Sequence, residues 1–175
     1  MSSRGQDALT IRRVANLDEL RDTFEVIGQQ FSPPIGRDDS RIDRLVRDFP
    51  SDRPLMLVVE HDGRIIGGAL GFGSTLRIIG IEEWARGRGL GRRLLQTFEV
   101  AAMRHGVQEI SLGAEDARGF YQRQGYRGKS SMHKQLALPG AVRDLRLRKL
   151  ERTIGDLDVG APVPLSDDGR VPSLL

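Results

Sequence analysis

Arg86-Gly87-Arg88-Gly89-Leu90-Gly91-Arg92-Arg93 is the stretch on which the reading of this chain turns. Before it, Leu76 to Ile81 is an apolar run that reads as a strand. After it, Leu90, Leu94, Phe98, Ala101 and Ala102 recur at helical spacing over Leu90–His105, with Gly106 as a natural stop. Three glycines thus sit where a strand turns into a helix. Glycine lets the backbone turn sharply and approach a ligand with no Cβ in the way. The first amides of the helix lack intrahelical partners, and its dipole adds positive potential at the same end. With four arginines around it, this is the composition of a pyrophosphate site.

The common pyrophosphate motifs do not fit. A dinucleotide fingerprint read from Gly87 meets Arg92 where its third glycine should stand, and the phosphate loop of nucleoside triphosphatases needs a Lys that the segment lacks. An Arg-Gly-rich nucleic-acid segment is a rival. It predicts salt-dependent DNA affinity. It fits poorly with a turn that runs straight into a strongly patterned helix.

Working outward, Leu9–Val14 reads as a first strand and Leu17–Gln30 as a helix capped by Asn16, with Leu17, Leu20, Phe24 and Ile27 on one face. Asp38–Phe49 reads as a second helix, with Ile42, Leu45, Val46 and Phe49 aligned. Leu55–Glu60 and Arg64–Phe72 are strands joined by the tight turn His61-Asp62-Gly63. Val107–Leu112 is a strand, Ala117–Gln124 a short helix and Ser131–Leu138 a last strand. The helical crossover from Leu76 to Leu112 joins parallel strands, and the hairpins before it are antiparallel. The expected class is therefore α/β (α+β), with a mixed, mostly antiparallel sheet. Beyond Pro139, Val142, Leu147, Leu150, Ile154 and Leu157 suit one more amphipathic helix, and Gly160–Leu175 reads as largely irregular.

Composition narrows the function classes. The 175 residues are 38% hydrophobic, enough for a core, and no run approaches the roughly 20 apolar residues of a spanning helix. No apolar stretch follows the charged N-terminus, so no secretory signal and no membrane association are expected, and a cytoplasmic location is the default. The absence of cysteine removes disulfides, thiolate nucleophiles and zinc–thiolate sites. No metal-ligand spacing stands out, and no metal is expected. The net charge of +3 is unevenly spread: residues 1–62 carry −3, residues 63–139 carry +6 and residues 140–175 are neutral. The middle block is where an anionic ligand would bind.

Here a resemblance becomes specific. Arg86-x-x-Gly89-x-Gly91 resembles the R/Q-x-x-G-x-G/A signature of the GNAT superfamily of acyl-CoA-dependent N-acyltransferases. Ala117-x-x-Phe120-Tyr121-x-x-x-Gly125-Tyr126 is similar to that family's A-x-x-x-Y-x-x-x-G-[FY] segment. The two stand about 30 residues apart, in the family's order, and the resemblance spans roughly residues 55–138. It implies a sheet whose parallel pair splays at a bulge, with the pantetheine arm of acetyl-CoA in the opening and the pyrophosphate on the glycine turn. Residues 1–138 would then be the GNAT-like N-acetyltransferase domain, and residues 139–175 a C-terminal extension.

By position, Arg86, Gly87, Arg88, Gly89, Leu90, Gly91 and Arg92 would hold the cofactor. Ile79 and Ile81 would line the arm, and the Ile81 N–H would polarise the thioester carbonyl. Tyr121 would face the leaving sulfur, since a phenol can donate a proton or a hydrogen bond to a thiolate. Phe120 and Tyr126 read as packing residues, and His133 as a surface or structural residue. Two family positions differ: Glu83 stands where Pro is frequent, and Ala114 where Asn is frequent.

The base for the attacking amine is left open by the residues. Glu82 and Glu83 are candidates at the strand end; Glu115 and Asp116 could equally cap a helix. The implied activity is direct transfer of an acetyl group from acetyl-CoA to a primary amine, of a small molecule such as an aminoglycoside-type antibiotic or of a peptide. The acidic Asp38, Asp39 and Asp43 weakly favour a cationic acceptor. The alternative is a non-catalytic acyl-CoA-binding module. The apolar stripe beyond Pro139 must be covered, either by its own domain or by a second copy, and a homodimer is the expected cover.

Overall fold

The computed structural model describes residues 8–31, 33–47, 55–114, 117–136 and 163–164. Strand β1 (Ala8–Arg13) leads to helix α1 (Leu17–Ile27), which a short 3-10 turn, Gly28–Gln30, extends. Helix α2 (Ser40–Arg47) follows. Strands β2 (Leu55–His61), β3 (Arg64–Phe72) and β4 (Thr75–Ile81) form a meander. A 3-10 turn, Glu83–Ala85, and the glycine turn then enter α3 (Leu90–Arg104). Strand β5 (Glu109–Gly113), α4 (Arg118–Arg123), β6 (Arg127–Gly128) and β7 (Ser131–Gln135) complete the domain, and β8 (Val163–Pro164) pairs with β1. The sheet order is β6-β7-β5-β4-β3-β2-β1-β8. Every pairing is antiparallel except β4 with β5.

Local chemistry accounts for the punctuation. The Asn16 side chain accepts from the Glu19 amide at 2.9 Å, the expected cap of α1. Asp62 and Gly63 both have positive φ, 50° and 77°, which makes the β2–β3 turn the two-residue type that matches strand twist. The sheet carries a core on each face. On one side Leu20, Phe24, Ile27, Ile35 and Ile42 of the α1–α2 layer cover Leu70, Phe72 and Ile78. On the other, Leu90, Leu94, Leu95 and Phe98 of α3 and Phe120 and Tyr121 of α4 pack with Leu57, Ala69, Leu76 and Ile81.

The predicted strand and helix order holds, with shifted ends. The first helix becomes 3-10 at Gly28. A Cβ on Gly28 would lie 2.0 Å from the Ile35 carbonyl oxygen, so the return of the chain at Ile35 presses directly on this residue. The second helix starts at Ser40 rather than Asp38. The strand expected from Val107 starts at Glu109, and the last strand of the core ends at Gln135. The helix expected over Val142–Leu157, and the side chains of Leu45, Val46 and Phe49, lie outside what is described.

Candidate active site

The site begins with one extra residue. In the β3–β4 ladder Leu70 faces Ile78 and Gly71 faces Leu76, so Arg77 is the bulged residue of β4. A bulge bends its strand and shifts the alternation of faces by one position. The side chains show the shift: Leu76 lies in the α3-side core, Ile78 in the α1-side core, and Ile81 in the α3-side core again, with Ile79 packed against it.

The parallel pairing with β5 covers only Thr75 with Ser111 and Leu76 with Leu112, and stops at the bulge. Below that point the strands are joined: the Thr75 and Ser111 hydroxyls are 3.2 Å apart, and the Ser111 amide donates to the Ser74 carbonyl at 2.8 Å. Beyond it β5 stays with β7, out to Gly113 opposite Ser131, while β4 stays with β3, out to Ile81 opposite Gly67. The facing edges of β4 and β5 are left unpaired past this point, a slot in the ladder.

The ladder determines which groups face the slot. The Glu82 amide donates to the Ile66 carbonyl at 2.8 Å. Hydrogen-bonded pairs alternate along an antiparallel ladder, so Ile79 and Ile81 turn their N–H groups away from β3, toward the side β5 has left. The outward Ile81 carbonyl is taken by Arg86, whose Nε donates to it at 2.9 Å. Arg86 therefore anchors the turn that carries the glycines.

At the end of the slot stands the N-terminus of α3. Gly87 and Gly89 have φ of 77° and 75°, left-handed values that favour glycine. Gly89 is the cap residue and supplies no side-chain hydrogen bond, so the first-turn amides are left for another partner. A Cβ on Gly89 would meet nothing within 4 Å: the glycine is there for its backbone angle and for the open space above it. The first turn holds no acidic residue. Arg92 and Arg93 follow instead, the wrong sign for a helix N-terminus unless an anion sits between them. Arg88, Arg92 and Arg93 form no ion pair among the described residues.

Tyr121 on α4 belongs to the same apolar cluster as Ile81, Leu90 and Ala114. It is 6% exposed, and burial pushes its phenol up to about 12. Its hydroxyl makes no hydrogen bond among the described residues. Its ring is held edge-to-face by Phe120 and by Tyr126, with centroids 5.1 and 5.7 Å away. Ala114, in the slot where the family often has Asn, is buried, and its amide donates to the Ser130 carbonyl at 3.1 Å.

The two candidate bases differ in surroundings. Glu82 accepts from Arg64 at 2.8 and 3.1 Å and from the Trp84 indole N–H. Glu83 is exposed and makes no ion pair among the described residues. Glu115 and Asp116 lie outside the described residues. His133 is exposed on β7, 3.6 Å from Glu109 and 3.3 Å from the Ser131 hydroxyl, as a surface residue would be.

In the acidic N-terminal block Asp38 is exposed and forms no ion pair among the described residues, whereas its neighbours are paired. Asp43 is paired with Arg21 at 2.5 Å, Asp22 with Arg37, and Asp39 with Arg41, which holds the Asp39 carboxyl down at about 2. The apolar groove lined by Arg13, Val14, Asn16, Leu17, Leu20 and Met56 sits at the other end of the strands, away from the slot. Three neighbours escaped the sequence reading. The Gln30 amide lies over Gly80, where an added Cβ would come within 2.8 Å of its nitrogen; Arg64 and Trp84 clamp Glu82. None has a local signal, because each contact joins distant segments or depends on a side-chain direction.

Residues 52–128 match the family model described as the acetyltransferase (GNAT) domain. The chain is 34% identical over 86 residues to an uncharacterized N-acetyltransferase of Methanocaldococcus jannaschii, a match covering 44% of this chain and 55% of that protein. The chain thus spans little more than half the length of this curated relative. Among solved structures, an N-acetyltransferase from Staphylococcus aureus Mu50 superposes with a TM-score of 0.60 at 16% identity, covering 74% of this chain and 99% of that one. The GNAT family N-acetyltransferase YhbS of Escherichia coli, solved in complex with CoA, gives 0.58 at 16% identity over 78% and 86%. A GNAT family acetyltransferase of Brucella melitensis, solved with acetyl-CoA, gives 0.57 at 18% identity over 74% and 89%. At these identities the likeness to solved structures is one of fold.

Proposed function

We propose, from the match of residues 52–128 to the GNAT acetyltransferase domain model and the likeness to an N-acetyltransferase over 86 residues, that the chain is an acetyltransferase of the GNAT superfamily and transfers an acetyl group from acetyl-CoA directly to a primary amine. The observation that carries the reading is the slot: two strands parted at a bulge, two backbone N–H groups facing the gap, and an uncapped, arginine-flanked helix N-terminus at its end. That combination suits a ligand with a thin extended arm and a pyrophosphate. The fold neighbours from Escherichia coli and Brucella melitensis were solved with CoA and acetyl-CoA respectively.

In this reading the pantetheine arm adds to the free edge of β4, and the thioester carbonyl accepts from Ile79 or Ile81 N–H as charge develops on it. The amine nitrogen attacks the carbonyl carbon. The C–N bond forms, the C–S bond breaks, and the sulfur leaves as thiolate. Tyr121 faces that sulfur. A phenol near 12 stays protonated at any working pH, but full proton transfer to a thiolate with a conjugate acid near 8.5 runs uphill by about 3.5 pH units. Hydrogen-bond donation to the leaving sulfur is therefore its main contribution. The proton lost by the amine passes to Glu83, directly or through water, because the Glu82 carboxylate is already engaged by Arg64 and Trp84.

The acceptor is a small-molecule amine or a peptide amine. A homodimer remains part of the proposal, resting on the apolar stripe Val142–Leu157 of the sequence; sizing in solution tests it. A thermal-shift measurement with acetyl-CoA, followed by an amine panel read through released thiol, tests the activity. A melting temperature that acetyl-CoA leaves unmoved would overturn the proposal. Binding without thiol release from any amine would favour an acyl-CoA-binding module.

A further inference from the structure

Glu99 lies in the middle of α3 and is 3% exposed. A carboxylate so placed needs partners, and it has them. Lys134 of β7 donates to both its oxygens, at 2.8 and 2.7 Å, and the Tyr126 hydroxyl donates to one of them at 3.0 Å. The Lys134 ammonium also stands 5.4 Å from the centroid of the Tyr126 ring. Two side chains 27 and 35 residues further along the chain converge on one buried anion.

Stability alone is a poor reason for this arrangement. Two charges must leave water, and apolar side chains of the same volume commonly hold a core as well or better. What the pair does hold is Tyr126. Its hydroxyl is fixed by Glu99 and its face is covered by Lys134. Burial, and then the Glu99 charge, push the Tyr126 phenol far up, so the hydroxyl stays a donor.

Tyr126 in turn holds Tyr121. Their rings meet edge-to-face at 5.7 Å and 68°, and the Tyr126 amide donates to the Tyr121 carbonyl at 3.1 Å. The Tyr121 hydroxyl makes no hydrogen bond among the described residues, so the direction of that phenol depends on what packs against its ring. Phe120 supplies one wall by apolar contact. Tyr126 supplies the other, and it is the wall tied by directional bonds.

We infer that the buried Glu99–Lys134 pair, acting through the Tyr126 hydroxyl, positions the Tyr121 phenol for the leaving sulfur. The inference rests on the acyl-transfer reading above. Glu99, Lys134 and Tyr126 are positioning residues; none is placed against the reacting atoms. A displacement of about 1 Å at a reacting group can cost on the order of a hundredfold in rate, so a tether of this kind matters to turnover without mattering to cofactor affinity.

The test uses the full chain and two variants, Tyr126→Phe and the double variant Glu99→Leu/Lys134→Met. The double variant replaces the pair with apolar volume, so a purely structural role survives it. Melting temperature, acetyl-CoA affinity by calorimetry and kcat with an amine the wild type acetylates are measured on each. A fourth readout needs no turnover. The chain has only two tyrosines, so 3-fluorotyrosine labelling gives one fluorine resonance each, and Tyr126→Phe leaves Tyr121 alone.

Both variants are expected to fold and to bind acetyl-CoA as the wild type does. Their kcat should fall on the order of tenfold, and the Tyr121 resonance should broaden or split. Wild-type kcat together with a single sharp Tyr121 resonance in both variants would overturn the inference. If the double variant does not fold, Tyr126→Phe decides on the same readouts. If no amine is acetylated even by the wild type, the failure belongs to the functional reading, and the fluorine spectrum alone decides the positioning.

Discussion

The Nε of Arg86 donates to the carbonyl of Ile81 at 2.9 Å, tying the turn before α3 to the last residue of β4. A charged donor on a partly buried carbonyl is worth about 1.5–3 kcal/mol. Arg86→Met removes the tie while keeping much of the side-chain bulk. The melting temperature is expected to fall by roughly 2–4 °C for each kcal/mol lost. Acetyl-CoA affinity by calorimetry should weaken about tenfold, as about 1.4 kcal/mol of lost anchoring implies. Unchanged affinity would mean that the turn keeps its shape without Arg86.

Gly89 gives a sharper test, because no described residue crowds it. Gly89→Ala meets no atom within 4 Å but forces a Cβ onto a residue with φ of 75°, at about 1–2 kcal/mol. The apo protein should fold with a slightly lower melting temperature. The Gly89→Val/Gly91→Val double variant should also lose the thermal shift with acetyl-CoA, because side chains would fill the phosphate approach. A normal shift in the double variant would place the cofactor elsewhere.

Tyr121→Phe leaves the apolar packing of α4 intact and removes only the hydroxyl. Acetyl-CoA binding should be unchanged and kcat should drop on the order of a hundredfold. An unaltered kcat would reduce Tyr121 to a packing residue.

The same phenol predicts an alkaline limit. Burial disfavours the charged form, so Tyr121 titrates near 12 when folded and near 10 when unfolded. The folded chain then holds its proton longer. The stabilisation is fully present below pH 10 and is lost as pH rises from 10 toward 12. Urea midpoints measured over that range should fall steadily, with tyrosinate absorbance appearing alongside unfolding. A midpoint flat to pH 12 would contradict the burial of Tyr121.

The two glutamates at the strand end separate by substitution. Glu83→Gln should lower kcat and flatten the acidic limb of its pH profile, with acetyl-CoA affinity intact. Glu82→Gln should mainly loosen Arg64 and Trp84. A loss confined to Glu82→Gln would transfer the base role to that residue.

Much of this was legible in the chain. The strand–turn–helix at Arg86–Arg93, the Asn16 cap and the Asp62-Gly63 hairpin all depend on residues within one turn of each other, where spacing speaks directly. Resemblance implied a bulge in the strand before the glycines, but Leu76–Ile81 does not say where: Leu76, Ile78, Ile79 and Ile81 are all apolar, so the change of face at Arg77 is hidden. The strands β6 and β8 hold two residues each, too few for any period. Glu99 and Lys134 are 35 residues apart, and nothing near either announces a buried charge. The partners of the acidic block were hidden for a related reason. Composition counts Asp39 and Asp43 as free anions, whereas Arg41 and Arg21 answer them in space.

Arg77 has a wider consequence. Deleting that one residue would put Leu76 and Ile78 back in step and give β4 a single alternation along its length. Nothing would then divert it from β5, and the two strands could zip together past Leu112. The difference between a continuous sheet and one with a cleft is here a matter of parity, an odd residue in a strand that would otherwise count in twos. Such a cleft needs no dedicated loop or domain. Arg77 itself is exposed, so the residue that breaks the count is one that neither core buries.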